Sequence, residues 1–429
     1  MDRIEIKGTK VFKGNMVPPP DKSISHRAVI FSSLAEGKGI VRNFLKAKDS
    51  ESTMNAFRSL GISITDEKGT LTIHGKGLRG LSEPADVIDC GNSGTTIRLI
   101  SGVLSGNPFF SVLTGDDSLR SRPMARVIHP LTLMGAGITA RADNRYPPLA
   151  IRGGNLAALN YAMPMASAQV KSSILLAGLY AEGVTEITEP ARSRDHTERM
   201  LPAFGADLRV DGLKVSLKGG SKLFPVDILV PGDFSSAAFF IVAALVVPDS
   251  EIYVRNVGMN PTRTGLLDVL KAMGAEIKIE NMHDVSGEPV ADLYCKGSSG
   301  LKAVGIEGDR VPSLIDEFPI LCIAAALADG VTTIRGAEEL RVKESDRISA
   351  IASELRKMGA EIEEFPDGLS IQGVERLRSA EVESHGDHRI AMSMAVAGLT
   401  AEGVTVINDA SAVDISFPGF FDIVRRFSG

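Results

Sequence analysis

Apolar residues along the chain fall into two kinds of helical segment, which alternate from one end to the other. The first kind is rich in Ala and Ser and apolar on nearly every face, as in residues 320–327, so we expect it to be buried on all sides. The second kind mixes charged and apolar positions, as in residues 345–358, which indicates an amphipathic helix. One strand follows the first kind and two strands follow the second, so the pattern predicts a repeated βαβαββ module.

The ends of the second helices show how often the module recurs. Each of these helical patterns stops at a glycine, the residue expected just after a helix C-terminus. The glycines are Gly61, Gly135, Gly205, Gly274, Gly359 and Gly429. The chain is therefore predicted to contain six copies of the module, and its fold class is α/β.

The sixth copy reaches Gly429 without its last two strands, whereas the chain opens with two strand-like runs, residues 3–7 and 10–17. We expect both runs to complete the sixth copy. The chain then crosses between two domains near Pro18–Pro20 and again near Phe224–Pro225, and limited proteolysis should release the segment between the crossings.

This closure predicts two similar domains of three modules each. The N-terminal domain comprises residues 21–224, and the C-terminal domain comprises residues 1–20 plus 225–429.

Composition narrows the class of protein. With 429 residues, 44% of them hydrophobic and 23% charged, the chain is typical of a globular protein with two or three domains. Neither an apolar run of membrane-spanning length nor a signal peptide is present, so we expect a cytoplasmic protein without membrane contact. A net charge of -6 and the absence of Trp argue against nucleic-acid binding.

Cysteine and histidine usage argues against disulfides and metal sites. The three cysteines, Cys90, Cys295 and Cys322, are scattered, and the seven histidines show no metal-ligand spacing with them. We therefore expect no metal.

The segment from Pro18 to Arg27 joins a stiff linker to a helix that begins with cations. Either Asp21 or Ser23 can cap this helix. A helix N-terminus favours anions, and Lys22 and Arg27 reinforce that preference. Taken alone, the segment is more typical of an ordinary capped surface helix with solvated cations.

Unusual polar residues recur at two places in the module, which we expect to lie at the same end. One place is the start of the first helix, and the other is the loop before the second helix. The residues at these places include Lys22, Ser23, Arg27, Asn92, Gly94, Arg98, Ser167, Gln169, Lys171, Asp316, Asp387, His388 and Arg389 at the first, and Arg122, Arg194, Lys343, Glu344 and Arg347 at the second.

Two domains that present such ends to each other would enclose a basic cleft with few carboxylates. Such a cleft in an acidic protein favours small polyanionic substrates. Asp316 and Glu344 stand out as carboxylates among cations. One could take a proton from a hydroxyl, and the other could exchange a proton with carbon; alternatively, both pair with neighbouring Arg and Lys.

Six segments, in this order, resemble the motifs of the enolpyruvyl transferase family, and within it the branch that acts on shikimate 3-phosphate. The segments are residues 21–27 (DKSISHR), 91–95 (GNSGT), 120–124 (RSRPM), 167–171 (SAQVK), 341–347 (RVKESDR) and 387–389 (DHR). They span nearly the whole chain. The resemblance implies a two-domain inside-out α/β barrel of six βαβαββ-type units, in agreement with the repeat count.

The resemblance also implies a reaction. The enolpyruvyl group of phosphoenolpyruvate would move to the 5-hydroxyl of shikimate 3-phosphate, releasing phosphate through a tetrahedral intermediate. No metal or organic cofactor is implied. The reaction belongs to aromatic amino acid and chorismate biosynthesis, and this branch of the family is the target of the herbicide glyphosate. We expect a monomer with these two small molecules as its partners.

Site residues carry over by motif. Asp316 is the implied base for the 5-hydroxyl, while Glu344 and Lys22 are candidates for proton transfer at the methylene carbon. Shikimate 3-phosphate is implied to contact Lys22, Ser23, Arg27, Ser167, Ala168, Gln169, Ser193 or Arg194, Asp316 and Lys343. Phosphoenolpyruvate is implied to contact Lys22, Asn92, Gly94, Arg122, Gln169, Arg347, His388 and Arg389.

The chain departs from the family near its C-terminus. Many members have Lys-Thr-Phe-Pro where this chain has Ile415, Ser416, Phe417 and Pro418, so one cation is missing from the phosphoenolpyruvate side.

Two rival functions are open at this point. The UDP-N-acetylglucosamine enolpyruvyl transferases share the fold, but they have Lys-Asn where this chain has Lys22 and Ser23, and they carry a loop cysteine that residues 114–124 lack. A non-catalytic repeat scaffold for acidic partners would explain the repeats and the cations. A scaffold function does not explain why the carboxylates Asp316 and Glu344 occur among the cations.

Overall fold

A computed structural model of the chain describes residues 2–297 and 300–429. These residues form two compact lobes. The N-lobe comprises Pro20–Val230 and Val285–Glu288, and the C-lobe comprises residues 2–19, Pro231–Asp284 and Pro289–Gly429. Each lobe encloses its own hydrophobic core.

Helices begin close to the predicted positions. They are α1 (Lys22–Leu34), α2 (Lys48–Ser59), α3 (Gly94–Ser105), α4 (Asp117–Ser121), α5 (Ala125–Leu133), α6 (Arg141–Asn144, a single turn with left-handed residues), α7 (Ala168–Gly178), α8 (His196–Ala203), α9 (Phe234–Val246), α10 (Gly265–Ala272), α11 (Phe318–Ala326), α12 (Arg347–Lys357), α13 (His388–Thr400) and α14 (Phe420–Phe427). Short 3₁₀ helices span Gly308–Ser313, Glu338–Val342 and Ala410–Ile415.

Most of the strands are short. They are β1 (Arg3–Lys7), β2 (Lys13–Met16), β3 (Glu36–Arg42), β4 (Ser63–Glu67), β5 (Thr70–Lys76), β6 (Ile88–Asp89), β7 (Phe110–Thr114), β8 (Gly137–Ala140), β9 (Tyr146–Arg152), β10 (Asn160–Ala162), β11 (Val184–Thr188), β12 (Asp207–Asp211), β13 (Lys214–Lys218), β14 (Ile228–Leu229), β15 (Glu251–Gly258), β16 (Ile277–Val285), β17 (Glu288–Lys296), β18 (Gly305–Ile306), β19 (Val331–Ile334), β20 (Glu361–Phe365), β21 (Gly368–Gln372), β22 (Glu381–Glu383) and β23 (Val404–Asn408).

The strands form six small sheets, one for each predicted repeat. In each sheet, the strand that follows the first helix lies between two others. One neighbour, which we call the leading strand, runs parallel to it in the four-stranded sheets, and the last strand of the repeat runs antiparallel to it on the other side. The orders are β14-β3-β5-β4, β6-β7-β9-β8 and β10-β11-β13-β12 in the N-lobe, and β2-β15-β17-β16, β18-β19-β21-β20 and β22-β23-β1 in the C-lobe. The predicted six-fold repetition is confirmed.

The two N-terminal strands do not both complete the sixth repeat, and this part of the prediction was wrong. β1 does so, pairing antiparallel with β23. β2 pairs parallel with β15 and is the leading strand of the fourth repeat. That repeat has no leading strand of its own, because β14, which precedes its first helix in the chain, pairs with β3 of the first repeat.

This exchange also sets the boundaries of the lobes. The first crossing follows Pro19, within the proline-rich linker. The second follows Val230, later than the predicted Phe224–Pro225, because β14 still pairs within the N-lobe.

The first helices are buried, as predicted from their apolar pattern. Every residue of α11 is buried, as is almost every residue of α1 and α9. Such helices can place only their first turns at the surface of a lobe, and those turns carry the unusual polar residues.

The six glycines predicted to follow the C-termini of the second helices all have a positive φ, the conformation that favours glycine. Gly61, Gly135, Gly205, Gly274, Gly359 and Gly429 have φ values between 87° and 106°. A side chain would strain the backbone there, which explains why the same residue marks the same place in every repeat.

Candidate active site

Three buried helices of the N-lobe, α1, α3 and α7, begin with capped first turns. The Asp21 carboxylate accepts a hydrogen bond from the backbone N–H of Ile24 at 2.8 Å, so Asp21, rather than Ser23, caps α1. Ser93 and Ser167 cap α3 and α7 in the same way. The first N–H groups of a helix lack intrahelical partners, and the helix dipole adds positive charge, so these three starts favour anions.

Lys22 lies in the first turn of α1 and pairs with a carboxylate from α2. Its Nζ lies 2.9 Å from Oδ2 of Asp49, and 16% of its side chain is exposed. Burial alone would raise the pKa of Asp49, but the charges of Lys22 and His26, together with hydrogen bonds from Ser93 and Lys22, outweigh burial and hold that pKa below its usual range. Asp49 therefore stays ionised and fixes the position of the Lys22 ammonium.

Behind Lys22, a chain of buried hydroxyls joins α1 to α2 and α3. Nδ1 of His26 lies 2.6 Å from Oγ1 of Thr53, which lies 2.6 Å from Oγ1 of Thr96. Thr96 in turn lies 2.7 Å from Oγ of Ser93. Burial lowers the pKa of His26 to about 4, although Asp49 opposes the shift. His26 is therefore neutral at neutral pH.

Arg122 is held by the loop that precedes α3. Its Nη2 donates to Oδ1 of Asn92 at 2.6 Å and to Oγ of Ser118 at 3.1 Å. The Asn92 amide in turn donates to Oδ2 of Asp116 at 2.8 Å. Asn92 and Arg122 were assigned to the same ligand from the motifs, and the structure places them in direct contact.

Two guanidinium groups converge on Gly94, the first residue of α3. A Cβ at this position would lie 3.0 Å from Nη1 of Arg98 and 3.2 Å from Nη1 of Arg122. Nη1 of Arg98 also donates to Oε1 of Gln169 at 2.5 Å, and Nε2 of Gln169 donates to Oγ1 of Thr95 at 3.0 Å. The start of α3, the start of α7 and the loop before α5 therefore meet at one end of the N-lobe, where Gly94 leaves space beside the cations.

Arg27 connects three elements of the N-lobe. Its Nη1 donates to the carbonyl oxygen of Ser23 at 3.0 Å, its Nε to Oγ1 of Thr197 at 2.7 Å, and its Nη2 to Oγ of Ser172 at 2.8 Å. Burial lowers the pKa of Arg27 to about 10; Glu198 opposes this shift, and the charge of Arg194 adds to it. Two cations whose charges interact are typical of an anion site.

The remaining residues assigned to shikimate 3-phosphate in this lobe lie on α7 and in the segment between β11 and α8. Ser167 and Ala168 form the start of α7. Ser193 is buried and donates its hydroxyl to Oε1 of Glu189, whereas Arg194 is half-buried. Because the Ser193 proton already points at Glu189, Arg194 is the better donor of this pair for an anion.

In the C-lobe, Arg347 lies among three carboxylates. Its Nε donates to Oδ2 of Asp387 at 2.8 Å, its Nη2 to Oε2 of Glu344 at 2.7 Å, and its Nη1 to Oδ1 of Asp316 at 3.3 Å. Burial alone would lower the pKa of Arg347, but the three carboxylates raise it overall. Burial would likewise raise the pKa of Asp387, but the charge of Arg347 lowers it overall. Arg347 and Asp387 are therefore both charged and form a buried ion pair.

Asp316 bridges Arg347 and a second arginine. Its Oδ2 lies 3.4 Å from Nη2 of Arg389, whose Nη1 donates to the Asp316 carbonyl oxygen at 3.0 Å. The carboxylates of Asp316 and Glu344 are 18% and 19% exposed, so both can reach a ligand. Two accessible carboxylates, held in place by one buried guanidinium, can take and deliver protons at two different atoms of a substrate.

His388 and Lys343 lie beside this cluster. His388 is the first residue of α13, and its buried ring places Nδ1 3.8 Å from Oδ1 of Asp387. Nζ of Lys343 donates to Oε1 of Glu339 at 3.3 Å. Burial lowers the pKa of Lys343, although Glu339 and Asp316 oppose the shift. Ile415, where the family resemblance implies a lysine, is half-buried at the end of a 3₁₀ helix.

Several of the cations have an acidic partner within their own lobe. Asp49 and Asp387 received no role from the motifs, yet they hold Lys22 and Arg347. A signal for Asp49 was present. It lies at the start of the second helix in the first repeat, the same place that carries Arg122 and Arg347 in other repeats.

Three further observations concern the cysteines, metal binding and the membrane. All three cysteines are free and buried. Within residues 2–297 and 300–429, no cluster of three or more His, Cys, Asp or Glu side chains is arranged to hold a metal ion. None of the helices in this part of the chain is long and apolar enough to cross a membrane.

Comparison with known proteins identifies the family. The family model for EPSP synthase (3-phosphoshikimate 1-carboxyvinyltransferase) matches residues 6–424. The chain belongs to the EPSP synthase family. Two relatives named 3-phosphoshikimate 1-carboxyvinyltransferase, from Thermodesulfovibrio yellowstonii and Pelobacter propionicus, are 56% and 54% identical to it. The alignments cover 99% and 100% of this chain and 99% of each relative.

A solved structure supports the same family. The EPSP synthase of Acinetobacter baumannii superposes with a TM-score of 0.88 at 49% sequence identity, covering 100% of this chain and 98% of that chain. The resemblance drawn from six motifs, the enolpyruvyl transferase fold and the predicted enzyme class are confirmed. The match extends through both lobes and includes every motif used to assign the site.

Proposed function

We propose that this protein transfers the enolpyruvyl group of phosphoenolpyruvate to the 5-hydroxyl of shikimate 3-phosphate and releases inorganic phosphate. The observation that carries the proposal is the pair of accessible carboxylates, Asp316 and Glu344, held by Arg347 beside Arg389. The reaction needs such a pair. One proton leaves a hydroxyl oxygen, and another is added to a methylene carbon and later removed from it.

Each substrate carries a phosphate and a carboxylate, so the site must hold four anionic groups. We assign shikimate 3-phosphate to Lys22, Ser23, Arg27, Ser167, Ala168, Gln169, Arg194, Asp316 and Lys343, with Ser193 holding the Arg194 segment. We assign phosphoenolpyruvate to Lys22, Asn92, Gly94, Arg122, Gln169, Arg347, His388 and Arg389. Charge-assisted hydrogen bonds from these cations and helix starts support both assignments.

In the addition step, Asp316 takes the proton of the 5-hydroxyl while the oxygen attacks C2 of phosphoenolpyruvate. Glu344 or Lys22 delivers a proton to C3, which becomes a methyl group in the tetrahedral intermediate. In the elimination step, the group that protonated C3 takes a proton back from it, the C2–O bond to phosphate breaks, and the double bond re-forms. The proton held by Asp316 passes to the departing phosphate. Arginines and lysine that neutralise the departing phosphate lower the barrier of this step.

The assay is phosphate release by the purified protein with phosphoenolpyruvate and one of three acceptors. We expect release with shikimate 3-phosphate and none with shikimate or UDP-N-acetylglucosamine. Release with the nucleotide sugar would assign the protein to the neighbouring family. No release with any acceptor would reject the catalytic proposal and favour an anion-binding scaffold.

Three further expectations stay predictions. We expect a cytoplasmic monomer, tested by fractionation and by light scattering. We expect activity to survive exhaustive chelation, because the assigned residues carry the chemistry without metal. We also propose that the two lobes are separate domains, so that proteolysis cuts near Pro19 and Val230 before it cuts within repeats.

A further inference from the structure

A buried lysine in the N-lobe has no part in the assigned chemistry. Lys171 lies on α7, directly after the residues assigned to shikimate 3-phosphate, and only 1% of its side chain is exposed. Its Nζ lies 2.7 Å from Oε2 of Glu189 and 2.5 Å from Oε1 of Glu198, whose side chains are 3% and 4% exposed. Burying three charges is costly unless they pair closely, so the geometry of this cluster is tightly constrained.

The two glutamates lie at the two ends of one functional segment. Glu189 directly follows β11, and Glu198 lies in the first turn of α8. Between them lie Ser193 and Arg194. Lys171 therefore joins both ends of this segment to α7, and Ser193 attaches its middle to the second oxygen of Glu189.

A second set of contacts joins the same elements through the neighbouring residues. Ser172, the neighbour of Lys171, lies 2.7 Å from Thr197, the neighbour of Glu198. Arg27 donates to both of these hydroxyls. The positions of α1, α7 and the segment 189–198 are thus coupled through Arg27, whose pKa is lowered further by the charge of Arg194.

We infer that Lys171 is a positioning residue, which holds the segment 189–198 so that Arg194 faces the phosphate of shikimate 3-phosphate; this inference rests on the proposed function. Without the ammonium group, Glu189 and Glu198 would face each other in a site that excludes water. Either a carboxylate takes a proton or the segment opens. Burial raises the pKa of Glu198, and the charge of Lys171 is the largest of the interactions that oppose this shift.

The decisive variant is Lys171→Met, which keeps an unbranched stem and removes the charge. We expect the Kd for shikimate 3-phosphate, measured by calorimetry without phosphoenolpyruvate, to rise by roughly 10- to 100-fold, as for the loss of one charge-assisted hydrogen bond from Arg194. At saturating shikimate 3-phosphate, kcat and the KM for phosphoenolpyruvate should stay within about threefold of wild type, because that ligand is assigned to other cations.

A milder variant guards against loss of folding. Glu198→Gln keeps the shape and a hydrogen-bond acceptor for Lys171 but removes one charge, and we expect a Kd between those of wild type and Lys171→Met. The matched control is Lys214→Met, which breaks a surface pair with Glu186 (2.8 Å, Lys214 46% exposed) in the same lobe and should leave the Kd unchanged.

The outcomes separate cleanly. If a folded Lys171→Met protein binds shikimate 3-phosphate as tightly as wild type, the positioning role is rejected. If Lys171→Met does not fold, Glu198→Gln decides alone, and wild-type affinity in that variant rejects the role. Failure of the wild-type protein itself to bind shikimate 3-phosphate would instead reject the proposed function.

Discussion

Replacing Asp316 with Asn tests the assignment of the base. The change keeps the shape of the side chain and removes its charge and its ability to accept a proton. In the structure, the carboxylate lies 3.3 Å from Nη1 of Arg347 and 3.4 Å from Nη2 of Arg389. The amide can keep one of these contacts, so we expect the fold and the positions of both arginines to persist.

The expected loss in turnover is large. Loss of a general base typically costs about 10²- to 10⁴-fold in rate, which corresponds to roughly 3–5 kcal/mol in the activation free energy. Binding of phosphoenolpyruvate, by contrast, should not weaken. Arg347 and Arg389 each lose an anionic neighbour, so their attraction for phosphoenolpyruvate should hold or increase, and its KM should not rise.

The assay combines phosphate release at saturating substrates with calorimetric titration of shikimate 3-phosphate. Asp367→Asn is the control, because Asp367 pairs with Arg335 at 2.9 Å on the exposed surface of the same lobe and should be neutral. A kcat within tenfold of wild type for Asp316→Asn, or a loss explained entirely by weaker binding of shikimate 3-phosphate, would refute the assignment.

Three other substitutions test separate parts of the structure. Arg122→Ala should raise the KM for phosphoenolpyruvate roughly 10- to 100-fold, since a charge-assisted hydrogen bond contributes about 1.5–3 kcal/mol; unchanged saturation kinetics would contradict this. Gly94→Ala places a methyl group 3.0–3.2 Å from two guanidinium groups, so the same KM should rise without a lower Tm; an unchanged KM would show that the space is not used. The folded state holds His26 neutral with a pKa of about 4, whereas the unfolded chain binds its proton below about pH 6.5. Wild type should therefore lose up to about 3 kcal/mol of stability as the pH falls between these values. We would measure the free energy of unfolding in urea at pH 7 and at pH 4.5. The difference between the two values should be smaller for His26→Gln than for wild type, and an equal difference would assign the acid sensitivity to other groups.

The repeat architecture could be predicted because each repeat carries its own local signals. Gly61 and its five counterparts each end a helix with positive φ, which is a backbone requirement that sequence displays directly. Burial of α11 could be predicted for a similar reason, since it is apolar on every face. Neither inference depends on which residues meet across the fold.

Pairing over long sequence distances could not be predicted in the same way. β2 has only four residues, and nothing in Lys13–Met16 distinguishes β15 from β23 as its partner. The pairing of Arg347 with Asp387 joins residues from different repeats, so a motif can show both residues without showing that they touch. The cations were therefore found from sequence, while most of the carboxylates that hold them in place were not.

The exchange of β2 and β14 has a consequence for dividing the protein into fragments. Residues 20–230 contain all the strands of three complete sheets, so the strand edges of this segment are paired without the rest of the chain, although the N-lobe also includes Val285–Glu288. Residues 231–429 alone lack β1 and β2, which would expose one edge of β15 and one edge of β23 to pairing with other chains. A split version of this protein should therefore reassemble only if the short N-terminal peptide is supplied with, or fused to, the C-terminal fragment.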